Sequence, residues 1–176
     1  IASYHQNILR ARGGLLSPRR AWEALRDGLA RGAEASSRGP FTLSLAEAST
    51  RMRAEGRYLQ TYWGGAAIVL LVDVALRQCG GGTVDDVFAE LRSEQPVVDV
   101  RRVDADEFVA RAAARAAKGG AAACGHVKAD VDAALARPFP DVLPLLEALG
   151  VRPGALDDKA PLAALRRQIS ARPAAL

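Results

Sequence analysis

Histidine, cysteine, methionine and the aromatic residues are all scarce in this chain, with two, two, one and 5% respectively, and each shortage narrows what it can do. A catalytic zinc site draws about three protein ligands from histidine, carboxylate or cysteine. Here only His5 and His126 exist, and no His-x-x-x-His pair is present. Cys124 and His126 could be joined by Cys79 or His5, but their spacing is loose and falls in a glycine-rich stretch, so ordinary surface or core roles are favoured. Two cysteines exclude a disulfide framework as an organising principle, while a single Cys79–Cys124 bridge stays open. No serine sits in a Gly-x-Ser-x-Gly elbow, and cysteine with histidine would act as a nucleophilic pair only if the fold brought them together. None of the glycine clusters at 13–14, 64–65, 80–82 and 119–120 carries the lysine and hydroxyl that a phosphate loop needs.

Long runs of one kind are missing too. The longest apolar stretch, Ala66–Leu76, is interrupted by Asp73 and is shorter than the roughly 20 residues that span a bilayer, so no membrane span is expected. The net charge is +4, almost all of the positive charge is arginine, and these arginines are scattered among carboxylates rather than clustered. A clustered basic face usually marks phosphate binding, so nucleic acid is not an expected partner, and weak binding through scattered arginines is the remote alternative.

What is present favours helices. The chain has 176 residues, is 49% hydrophobic, and is dominated by alanine and leucine, which lose little on entering a helix. Residues 1–12 read as a helix stopped by Gly13-Gly14. Ser17-Pro18 restarts one, because serine caps free amides and proline suits the first helical position. Trp22, Leu25 and Leu29 form its apolar stripe. Residues 34–40 read as a loop, and Ser44 with Glu47 forms a capping-box pattern opening a short helix toward Met52. The apolar run ending at Gly80 predicts a buried helix, with a buried strand as the lesser reading of its β-branched residues. Thr83 and Asp104 head two further helices, with a connection over 93–103. Lys118 to Gly125 is a small-residue stretch and a weak boundary. Helices are expected over 127–136, 141–149 and 162–169, with Pro138 and Pro140 breaking the first from the second.

The predicted architecture is therefore all-α: an irregular multi-helix bundle around a central apolar helix at about 66–77, in one domain over 1–176. Residues 1–116 form its main bundle and 117–176 a C-terminal helical extension. Within it, Tyr62-Trp63-Gly64-Gly65-Ala66 stands out. Its aromatics read first as core anchors. A tyrosine beside glycines that admit a close backbone approach is the alternative, offering its hydroxyl to a cleft.

The order of several segments resembles the gluzincin aminopeptidases, and within them the glycyl aminopeptidase family. Ile1-Ala2-Ser3-Tyr4-His5-Gln6 is similar to the stretch after the Glu-Gly that supplies the family's third zinc ligand. Arg12 to Pro18 resembles the next helix-turn-helix, and Ser44 to Ser49 the segment beyond it. Tyr62-Trp63-Gly64-Gly65-Ala66 is similar to the family's Tyr-x-Lys-Gly-Ala motif opening a long apolar helix, and Val72 to Arg77 to the end of that helix. Val84-Asp85-Asp86-Val87 resembles the family's next helix and the 140–151 stretch its terminal segment, so that most of the chain is covered in consistent order.

The resemblance implies that the fold is like the C-terminal helical subdomain of a thermolysin-like aminopeptidase. It implies a zinc-dependent parent in which the metal polarises a peptide carbonyl and activates water. Residue by residue, only one role carries over: Tyr62 as donor to the tetrahedral oxyanion. The departures are specific. No His-Glu-x-x-His helix is present, the third-ligand glutamate would fall two positions before Ile1, Gly64 stands where the family has lysine, and no PDZ-like segment is recognisable. Because the chain starts at Ile1 rather than methionine, it is expected to be a fragment. The implied function is one wall of a peptide cleft, inactive alone, with the metal-binding half of the parent and a peptide substrate as partners. No cofactor or metal is expected in this chain itself, and zinc is expected in the parent. The alternatives are a non-catalytic helical interaction module, including a homodimer, and an inactive peptidase homologue.

Overall fold

Proline and the hydroxyl caps set where the helices begin. Ser17 accepts the amide of Arg20 at 3.3 Å and Pro18 opens the helix behind it. Ser44 and Glu47 exchange side chain and backbone bonds in a full capping box. Thr83 and Asp86 do the same, with Thr83 N donating to the Asp86 carboxylate at 2.7 Å and Asp86 N to the Thr83 hydroxyl at 3.2 Å. Each device satisfies amides that the first helical turn leaves without partners. Asp104 occupies the corresponding position of its helix but makes no side-chain cap bond, contrary to the expectation from sequence.

The computed structural model describes residues 2–38, 41–93, 104–120 and 122–172. The order is α1 (Ala2–Arg12), α2 (Pro18–Ser36), α3 (Leu45–Thr50), α4 (Tyr58–Gln78), α5 (Val84–Ser93), α6 (Ala105–Lys118), a 3-10 helix (Ala122–His126), α7 (Val127–Leu135), α8 (Leu143–Ala148), a hairpin of β1 (Val151–Arg152) and β2 (Ala155–Leu156), and α9 (Ala163–Ser170). The fold is thus all-α and multi-helical, as the composition predicts, apart from that hairpin. Most of the expected connection at 93–103 lies outside the described residues.

Helix α2 runs on to Ser36, into the stretch read as a loop from residue 34, and two further elements differ from expectation. The helix expected at about 66–77 starts eight residues earlier, at Tyr58, so the Tyr-Trp-Gly-Gly segment lies inside it rather than ahead of it. At 21 residues α4 is long and apolar enough, by length and composition, to cross a membrane, which the 66–76 run alone is not. In this fold 56% of its most apolar stretch is buried, the pattern of a core helix. The hairpin is the second difference. Arg152-Pro153-Gly154-Ala155 carries its signal, because proline at the second position and a glycine with φ of 70° at the third make a tight turn.

The chain folds as two compact units: residues 1–69 with 134–176, and residues 70–133. The C-terminal stretch is therefore not an appendage, since from Ala134 onward it packs with the N-terminal helices. In the first unit Tyr4, Ile8, Trp22, Leu25, Leu29, Leu149 and Ile169 are fully buried. Helix α9 is tied to α1 and α2 by polar bonds as well. Arg12 Nε donates to Ile169 O at 2.8 Å, and Trp22 Nε1 to the Ser170 hydroxyl at 3.2 Å, which in turn donates to Arg166 O. In the second unit Val72, Leu76, Val84, Val87, Phe108, Ala112 and Ala116 form the core, and the rings of Phe88 and Phe108 stack at 5.2 Å. Asp73, buried within α4, accepts the Val84 amide at 3.0 Å and pairs with Arg77 at 3.2 Å. That explains how the one charge in the apolar run is tolerated.

Arg166 is the first unit's principal buried cation, with 2% of its side chain exposed. Its Nη1 donates to the carbonyls of Leu149, Gly150 and Asp157 at 2.9–3.1 Å, and its Nη2 pairs with Asp158. Gly150, with φ of 72°, lies so close to Asp157 O that a Cβ there would fall 2.2 Å from it. Arginine and glycine together fold residues 149–158 into a closed loop against α9. Replacing Arg166 with Met is expected to lower unfolding stability by about 1–3 kcal/mol, because Leu149 O loses its donor while the Gly150 and Asp157 carbonyls keep one backbone donor each. A urea titration followed by circular dichroism measures it, and an unchanged midpoint contradicts this account.

Candidate functional site

The first turns of α4 present two faces with different company. Gln60, Trp63 and Gly64 point inward, while Tyr58, Leu59 and Tyr62 point to solvent, with Tyr62 52% exposed. The split stems from helical spacing: 58 and 62 lie one turn apart on one side, 60 and 64 on another. The Tyr58 and Tyr62 rings accordingly meet at 6.1 Å, tilted by 49°.

Trp63 fixes this arrangement. Its indole lies where a side chain at position 28 of α2 would be, and its Cβ where one at position 32 would be. A Cβ on Gly28 would meet the indole at 2.0 Å, and one on Gly32 would meet Trp63 Cβ at 2.4 Å and the Phe139 ring at 2.7 Å. The Arg31 guanidinium lies 5.7 Å from the indole centroid, a cation–π contact. Gln60 adds polar ties, its Nε2 donating to Leu43 O at 3.2 Å and Pro138 O at 2.9 Å. Its Oε1 is buried and has no partner among the described residues. Gly64 gives room to the Leu45 side chain, whose methyl would lie 2.5 Å from a Cβ at 64. The close neighbour of that glycine is thus a side chain of α3 rather than the backbone expected from the sequence.

Leu45 opens α3 behind the Ser44–Glu47 capping box. The bonds from the Ser44 hydroxyl and amide hold the Glu47 carboxyl below the usual glutamate range. Beside α4, Arg57 donates to the carbonyls of Arg38 at 2.9 Å and Phe41 at 3.4 Å, which brings the backbone at these two residues to the helix start.

The remaining candidate residues do not assemble a reactive centre. His5 is half-buried in α1, edge-on to the Tyr4 ring at 5.1 Å. His126 is exposed at the end of the 3-10 helix. Cys79 and Cys124 are joined in a disulfide with Cα atoms 5.7 Å apart, so neither offers a thiolate as ligand or nucleophile. Among the described residues no three His, Cys, Asp or Glu side chains gather as a metal ion requires. Of the residues the sequence singles out, Tyr62 is exposed on α4 and His126 at the end of the 3-10 helix. The ring contact of Tyr58 with Tyr62 goes unnoticed in the sequence, although the Tyr-x-x-x-Tyr spacing is its signal. No family model, curated protein or solved structure matches this chain.

The packing and the capping box each generate an expectation. Gly28→Ala drives a methyl into the Trp63 indole and is expected to cost about 1–3 kcal/mol in a urea titration. Gly125→Ala, which meets nothing within 4 Å, changes stability by less than about 0.5 kcal/mol. Equal effects would contradict the packing described. Because folding lowers the Glu47 pKa, the box's contribution is present above the unfolded value of about 4.3 and is lost as pH falls through the lower folded one. In NMR titrations the Ser44 and Glu47 amide resonances therefore shift in the acid range. Glu47→Gln, which caps without titrating, should flatten that shift.

Proposed function

We propose that this chain forms the helical wall of a peptide cleft in a zinc-dependent aminopeptidase, with the metal's ligands supplied by polypeptide outside these 176 residues. The observation that carries the reading is the placement of Tyr62. It is the residue matched to the family's oxyanion-donating tyrosine, and it stands half-exposed on a helix turn whose neighbours are locked inward. A donor that acts in a transition state must be fixed in advance, because any reordering during the reaction subtracts from the stabilisation it gives. Trp63 against α2 and Gln60 against two loops supply that fixity.

The departure at Gly64 has a physical reading. Leu45 fills the space beside it, so the cation that the family carries at this place is replaced here by an apolar contact. The donor role then rests on the phenol alone. In the full-length protein loaded with zinc and given an alanyl or glycyl reporter peptide, Tyr62→Phe is expected to lower kcat by about 10²–10³-fold with little change in KM. This chain alone, with stoichiometric zinc, is expected to give no turnover. An unchanged kcat in the variant, or ordinary aminopeptidase turnover by the chain alone, would sink the reading.

A second reading, a non-catalytic interaction module, is favoured by the exposure of Phe41, Tyr58, Leu59 and Tyr62, with the Phe41 backbone bonded to the start of α4. Exposed apolar groups near one another mark contact surfaces. Sedimentation across a range of concentrations separates the two, since a strict monomer at all concentrations removes self-association from this reading.

A further inference from the structure

We propose that the Cys79–Cys124 disulfide is a redox latch that holds the 3-10 helix and the start of α7 onto the end of α4, so that residues 70–133 reach their complete fold only where the protein is kept oxidised. The two cysteines are 45 residues apart in sequence, and both are nearly fully buried. Their surroundings are shaped for close approach. A Cβ on Gly119 would lie 1.8 Å from Cys79 O, and one on Gly81 would lie 2.9 Å from Arg115 O. The end of α6 and the 79–82 turn therefore touch backbone to backbone.

That contact has its own non-covalent ties. Arg115 Nε donates to Gly81 O at 2.9 Å, and its guanidinium pairs with Glu90 and Asp86. Helices α5 and α6 thus remain joined to the turn without the bridge. Among the described residues no side-chain hydrogen bond or ion pair ties the segment after α6 to that turn, and beside the bridge it is held by the burial of Val127 and Val131 in α7. Between Lys118 and Cys124 the sequence offers only glycine and alanine, residues with little or no side chain to bury. Closing so long a loop removes much of the freedom of the open chain.

The chemistry of release is thiol–disulfide exchange. One thiolate of a dithiol reductant attacks a bridge sulfur and expels the other as a thiolate. The reductant's second thiol then closes on the first as a cyclic disulfide, leaving Cys79 and Cys124 as two thiols. Because both residues are buried, this attack proceeds through an opened form, and the bridge persists in compartments without a strong reductant pool.

The test uses the complete chain purified without reductant. Mass tagging of thiols after denaturation is expected to find none free. Hydrogen exchange is then compared with and without excess dithiothreitol. Peptides covering 124–133 are expected to exchange at least about tenfold faster once the bridge is reduced, while peptides from α1, α2 and α9 keep their rates. The Cys79→Ala/Cys124→Ala double variant, without reductant, should reproduce the reduced pattern. Free thiols in the untreated protein, unchanged exchange over 124–133 after complete reduction, or equal acceleration along the whole chain would each overturn the proposal.

Discussion

The indole of Trp63 seated in the gap left by Gly28 and Gly32 is the contact on which the candidate site depends. The two glycines lie four residues apart, on one face of α2, and together leave room for the Trp63 side chain, its indole at Gly28 and its Cβ at Gly32. With the indole held there, the rotation of α4 about its own axis is set. Gln60 and Gly64 must then face inward, and Tyr58, Leu59 and Tyr62 outward. The exposure of the phenol is therefore a result of packing on the opposite side of the helix. The same face of α4 receives Leu45 from α3 and, through Gln60, the carbonyls of Leu43 and Pro138.

Much of the helical layout is legible in the sequence because its signals are local. Ser17-Pro18, Ser44 with Glu47 and Thr83 with Asp86 each announce a helix start through bonds spanning three residues. Gly150 closes α8 by adopting a backbone conformation that side chains disfavour. The features hidden from sequence depend on partners distant along the chain. The true start of α4 at Tyr58 is masked because the aromatic and glycine residues at 62–65 resemble a helix boundary. They are helical because Trp63 and Gly64 pack on α2 and α3. Arg166 reads as one more surface arginine on a short helix. Its burial results from carbonyls converging from residues 149–157, which no local pattern reveals. The hairpin is a different case, since the Pro153-Gly154 signal is local and its strands are simply too short to carry an alternating pattern.

For the candidate site the division is similar. Tyr62 can be singled out from its motif, and the poverty of histidine is visible at once. The pairing of Cys79 with Cys124 is not, because spacing alone leaves a bridge and two thiols equally open. Geometry decides it by bringing the Cα atoms to 5.7 Å, with Gly119 making way for the Cys79 carbonyl. Two buried charges, one in each unit, follow one rule that the Gln60 Oε1 does not. Arg166 and Asp73 are each surrounded by backbone partners and one opposite charge, so that burial leaves neither unsatisfied.

The tryptophans are unevenly placed. Trp22 and Trp63 both belong to the unit built from residues 1–69 and 134–176, and residues 70–133 contain neither tryptophan nor tyrosine. Light absorbed by tryptophan in this protein is therefore absorbed and re-emitted within one unit only. Its emission tracks the indole contact with α2 and the Trp22–Ser170 bond, while the disulfide-bearing unit contributes nothing to tryptophan emission.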